Sequence, residues 1–200
     1  MLKAGGSMSL TVRGVLKNEA GALLAGSDLD ATVDGAVDNT AGLIVAPGRL
    51  ALHAGGPIDN ETGQIRSVAD GGSAEGAGRV IVETPRRLFD NGRRGVLWAR
   101  GPAFVSAGEI ENGSGLIRGA DVTLRAADVR NGDGGKVKAD REALTLHART
   151  LDNSGGKLRS IQALTVQLID AGNSARGSLR SREGPLWVTG VESMDFSLPR

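Results

Sequence analysis

Five carboxylates stand immediately before an asparagine: Asp38, Asp59, Asp90, Glu111 and Asp152. Lined up in space, such groups could bind calcium or divide into an acid and a base acting on an acidic polysaccharide, because like charges push one another's titration apart. The same position holds Lys17 and Arg130, which interrupt the line. An Asp at a turn also bonds its own backbone two residues on. The series reads first as turn structure and second as a lyase-like or hydrolase site. His53 in "LALHA" and His147 in "LTLHA" each follow an apolar residue that faces inward, so both are expected at the surface. No metal or cofactor site is expected.

Composition removes other chemistries. The chain has no Cys and no Tyr, which excludes thiolate ligands, a Cys nucleophile and a disulfide framework. The glycine clusters "DGGSAEGAG" and "NGDGG" lack the lysine and the helix of a phosphate loop. With 24 Lys and Arg against 23 Asp and Glu, and no run of five like charges, the chain as a whole has no attraction for a polyanion, and no nucleic-acid partner is expected. No apolar run suits a membrane span, and no secretory signal is visible in "MLKAGGSMSLTV".

The carboxylates belong to a repeat. "AVDNTAGLIVA", "PIDNETGQIRS", "EIENGSGLIRG" and "TLDNSGGKLRS" share an apolar residue, one further residue, Asn, a Gly three on and then an apolar residue. The chain's eight Asn all fall in this turn, at intervals of 21, 21, 31, 21, 19, 22 and 20. The long interval carries an insertion near 69–78. A short strand follows each turn, with Leu23, Ile65, Leu97, Ile117, Val137 and Leu158 as its inward residues. A second strand alternates apolar and polar residues, as in "LDATV", "VTLRA" and "LTVQL". Such short strands bury nothing alone, but coils stacked on one another make a continuous core. The expected fold is an all-β, right-handed parallel β-helix of about eight coils with a period near 21 residues, spanning 1–188 and leaving 189–200 as a non-repeat tail. Stacking would bring Asn18, Asn39, Asn60, Asn91, Asn112, Asn131 and Asn153 into a ladder of amides, with Asn and Gly supplying a left-handed corner. In the last coil, "IDAGNSARGSLRS", Asn173 is displaced by two.

Alternation also places Ile81, Trp98 and Phe104 on the outside, with Ile81 one coil before Phe104 in the same column. This group is expected either to contact a partner or to be covered by the insertion. Trp187 points outward where the pattern decays. Open coil ends carry unpaired strand edges, so an isolated chain is expected to self-associate with concentration.

The unit "LDNSGGKLRS...LTV", with "VDNTAGLIVA" and "IDNETGQIRS", resembles the filamentous haemagglutinin repeats of large two-partner-secreted bacterial exoproteins, which include adhesins and contact-dependent inhibition toxins. The likeness runs from about Leu10 to Val188. It implies a non-enzymatic shaft that mediates cell contact, secreted or displayed on the bacterial surface. It also implies an outer-membrane transporter as partner during export, and receptors on host or neighbouring cells. On that likeness "LKAGG" reads as the end of a coil, and the chain as a stretch of a longer shaft. The competing class is a carbohydrate-active β-helix enzyme, or a polysaccharide-binding protein that uses the stacked carboxylates.

Overall fold

A computed structural model describes residues 1–68, 78–190 and 193–197. Every regular element among them is a β-strand. Among the described residues no helix is long and apolar enough to cross a membrane. Strands pair in parallel, each with its equivalent in the next coil, to form a nine-stranded and a fourteen-stranded sheet. The nine-stranded sheet takes the short strand after each turn, such as Leu43–Ala46, Gln64–Ser67 and Val96–Ala99. The other takes the alternating strand, such as Leu29–Val33 and Leu50–Ala54. It also carries the two-residue strands Val37–Asp38 and Ile58–Asp59, which the longer strands Val80–Asp90 and Ala103–Glu111 absorb at their far ends.

Period-two patterning decides which side chains face in. In Leu29–Val33, Leu29, Ala31 and Val33 are buried while Asp30 and Thr32 are not. Leu23, Ile65, Leu97, Ile117, Val137 and Leu158 are all buried in one core cluster, as their spacing predicts. Identical positions stack as columns. Val37, Ile58, Phe89, Ile110, Val129 and Leu151 form one of them. Phe89 is the largest fully buried side chain, in a layer otherwise of Ile, Val and Leu. With aromatics this scarce, the interior is a narrow stack of aliphatic layers.

The chain has about nine coils, one per strand of the nine-stranded sheet, and a length of about 40 Å at the usual strand spacing. Counting Asn turns gives eight and misses the first coil, whose strand Leu2–Lys3 pairs with Leu23–Leu24 without an Asn before it. The tail also departs from expectation. Leu186–Thr189 pairs with the strand Leu164–Asn173, and Ser193–Asp195 pairs with the far end of the same strand, so coil geometry extends past 189. There Met194 lies against Gly172 and fills a place where the column lacks a side chain.

The corner is built differently from its sequence-based reading. The left-handed residue is two places after Asn and is usually not glycine: Ala20, Ala41, Thr62, Ser114 and Asp133 have φ between 48° and 62°. The glycine one place further on is needed for space. A Cβ on Gly42, Gly63, Gly115 or Gly156 would overlap the carbonyl oxygen of the Asn one coil back.

Candidate contact surfaces

The amide ladder is the most regular polar feature. Asn18 Nδ2 donates to Asn39 Oδ1 at 2.7 Å, and the pattern continues through Asn60, Asn91, Asn112, Asn131 and Asn153 at 2.6 to 2.8 Å. Most of these Nδ2 groups also lie near a backbone carbonyl of the coil ahead, as Asn91 does with Leu116 at 3.1 Å. From Asn39 onward each ladder side chain is fully buried. The eighth amide is not in line. Asn173 pairs with Asp152, one place short of the ladder, and Ser174 Oγ accepts the hydrogen bond from Asn153 Nδ2 instead. Asn173 is thus one residue before the ladder, because the strand from Leu164 carries one extra residue against the stretch Ala148–Thr150 and moves the ladder position to 174.

The carboxylates before the Asn do stack, and each accepts a hydrogen bond at its own turn. Asp38, Asp59, Asp90 and Asp152 accept from the backbone N–H of Thr40, Glu61, Gly92 and Ser154 at 2.8 to 3.0 Å. Glu111 accepts from Gly113 at 2.7 Å. Burial raises the Glu111 carboxyl, with the charges of Asp90 and Glu109 adding to it, against the Gly113 bond and Arg130. Asn173 fills the same capping place and accepts from Ala175. Among the described residues no three carboxylate or imidazole groups converge as metal ligands. His53 and His147 lie in one outward column, separated by Glu83, Ser106 and Arg125. His53 Nδ1 is 2.8 Å from Glu83 Oε2.

The structure divides the apolar trio. Ile81 and Phe104 are direct neighbours on the fourteen-stranded sheet. Trp98 is on the nine-stranded sheet, between Arg66 and Arg118, whose guanidinium carbons lie 4.7 and 5.7 Å from its ring centroid. Strand alternation turned all three outward but could not show that they lie on different sheets. All three are half-buried. Residues 69–77 of the insertion, the proposed cover, lie outside the described residues. The large apolar side chains with the most exposure are elsewhere, near the two ends: Met1, Val15, Ile169, Trp187 and Phe196.

One surface escaped the reading of the sequence. The column containing Trp98 runs Arg66, Trp98, Arg118, Lys138, Arg159, Arg180. Lys136 and Lys157 are neighbours in the other outward column of the same sheet. Asp140 binds Arg118 and Lys138, the latter at 2.6 Å. Among the described residues no carboxylate pairs with Lys136, Lys157, Arg159 or Arg180. A hollow of about 190 Å³ opens among Lys138, Arg159, Arg180 and Arg182 at the edge of this strip. The signal was present in "QIRS", "LIRG", "KVKA", "KLRS" and "SLRS", where a cation directly follows the inward residue. Contiguous charge runs do not reveal it. Searches against models of protein families, curated proteins and solved structures find no match to this chain.

Proposed function

We propose that this chain is a stretch of shaft from a secreted or surface-displayed bacterial exoprotein, a rod that holds contact surfaces away from the cell, as its likeness to filamentous haemagglutinin repeats implies. The observation that carries this reading is the unbroken amide ladder. Each buried Asn donates to the next, so the rod is held together coil by coil from within and its outward residues are free to vary. An outer-membrane transporter during export and a receptor on a host or neighbouring cell belong to the same proposal. So does end-to-end association, favoured by the exposed apolar residues near both ends.

The test is adhesion. Beads coated with the chain should attach to bacterial or animal cells in a panel more than beads coated with an unrelated protein of like charge; equal attachment across the panel would refute the reading. The enzyme reading draws on the stacked carboxylates, but their engagement with turn N–H groups supports a structural role. Incubation with acidic polysaccharides should release no new reducing ends or unsaturated products.

A further inference from the structure

The contact rod has one face whose chemistry specifies a ligand class. On the nine-stranded sheet each strand offers only two outward positions, because the alternate residues are core. In the strands Lys136–Ala139 and Lys157–Ser160 all four outward side chains are cations: Lys136, Lys138, Lys157 and Arg159. Arg118 extends the line on one side and Arg180 on the other. The strip is therefore about 7 Å wide, the separation of alternate residues on a strand, and it repeats at about 4.8 Å along the rod. Like charges stacked at that spacing repel one another, and Asp140 is the carboxylate that relieves them, at Arg118 and Lys138.

We propose that this strip binds a linear polyuronate, a polysaccharide with one carboxylate on every sugar, laid along the rod axis. A sugar ring advances its chain by nearly one strand spacing, so successive carboxylates meet successive coils. A chain whose carboxylates alternate in side meets the Lys136–Lys157 column on one flank and the Lys138–Arg159 column on the other. The guanidinium forks of Arg159, Arg180 and Arg182 around the 190 Å³ hollow suit a carboxylate held by paired hydrogen bonds. Arg182 is paired only loosely with Glu183, at 3.6 Å with both side chains well exposed. At the other end of the strip the Trp98 ring is flanked by the guanidinium groups of Arg66 and Arg118 and bounds the strip there. Single-stranded nucleic acid is held by a series of aromatic side chains under successive bases, and this strip has one. The inference rests on the shaft reading only for its biological setting, since the strip is a property of the chain itself.

Binding of the full chain to polygalacturonate, measured by calorimetry in low salt, tests it. The expected result is binding that weakens steeply with added salt and is lost with fully methyl-esterified polymer. The double variant Lys157→Glu, Arg159→Glu should weaken it about tenfold or more, since two surface ion pairs give way to two repulsions. Both side chains are exposed, and an unchanged circular dichroism spectrum checks the fold. Arg13→Glu with Lys17→Glu, a matched charge change away from the strip, with Lys17 on the other sheet and Arg13 in the bend after Met8–Val12, should change binding less than twofold. The inference is overturned by absence of binding to polygalacturonate, by equal loss in both double variants, or by tighter binding to duplex DNA or phosphatidylserine vesicles. Should cell adhesion persist while polygalacturonate binding is absent, this inference falls and the shaft reading stands.

Discussion

Two columns of this rod share one geometry and have opposite energetics. In the Asn column, stacking at strand spacing lets every side chain act as donor to one neighbour and acceptor to the other, so repetition adds a buried hydrogen bond with each coil. In the column of Arg118, Lys138, Arg159 and Arg180 the same stacking brings cation beside cation. Parallel in-register coils amplify whatever occupies a position. An amide becomes a ladder and a cation becomes a charged strip.

The sharpest way to break the first column is through its glycine. Gly115→Ala would place a Cβ on the Asn91 carbonyl oxygen, backbone that cannot yield, and should cost about 4 kcal/mol or prevent folding, as read by urea unfolding. Asn60→Ala leaves the buried Asn39 Nδ2 and Asn91 Oδ1 each short of a partner, and a loss of about 3 kcal/mol is expected. Asn173→Ala, outside the ladder, should cost less than about 1 kcal/mol in the same assay because it removes a half-buried turn cap. Equal losses at 60 and 173 would mean that the ladder adds nothing beyond turn formation.

In the charged column the expected effects are smaller and of opposite sign. Lys157→Gln with Arg159→Gln should leave stability unchanged or raise it by up to about 0.5 kcal/mol in low salt, with the gain vanishing in high salt. A clear loss would show that these cations have acceptors that hold the fold together. The smallest effects are those of pH. Burial pushes the Asp140 carboxyl up, but bonds from Lys138 and Arg118 outweigh it and hold the group below the usual range. Its contribution is therefore complete above the ordinary Asp pKa and is lost as pH falls through the lower folded value. Asp140→Asn should remove that part of the acid dependence. Glu111 is raised, chiefly by burial, so it works the other way: the folded state takes up its proton first, and stability from this group rises as pH falls toward the ordinary Glu value. Glu111→Gln should make the chain slightly more stable near neutral pH, and thermal unfolding across pH would show it.

The sequence was legible where one residue's type decides its place. "LDATV" and "LTVQL" identify the faces of their strands, and the turn identifies the ladder, because inside and outside alternate within a few residues. Asn173 was misplaced by one because the register slip after Ala148 depends on how two coils lie against each other. The glycine of the corner was assigned to the wrong cause for a similar reason. Its obstacle, the Asn carbonyl one coil back, is 24 or 25 residues away in the chain and in contact in space.

The sequence by itself therefore determined the period, the parallel strands, the aliphatic core and the line of seven amides, since each follows from local alternation repeated at a near-constant interval. Tertiary structure decided which surface residues are neighbours. A chain of net charge +1 shows no attraction for anions when read end to end. Stacking brings residues from coil after coil to within one strand spacing, and only then do Arg118, Lys138, Arg159 and Arg180 add their fields along one face while Trp98 joins the same column away from Ile81 and Phe104.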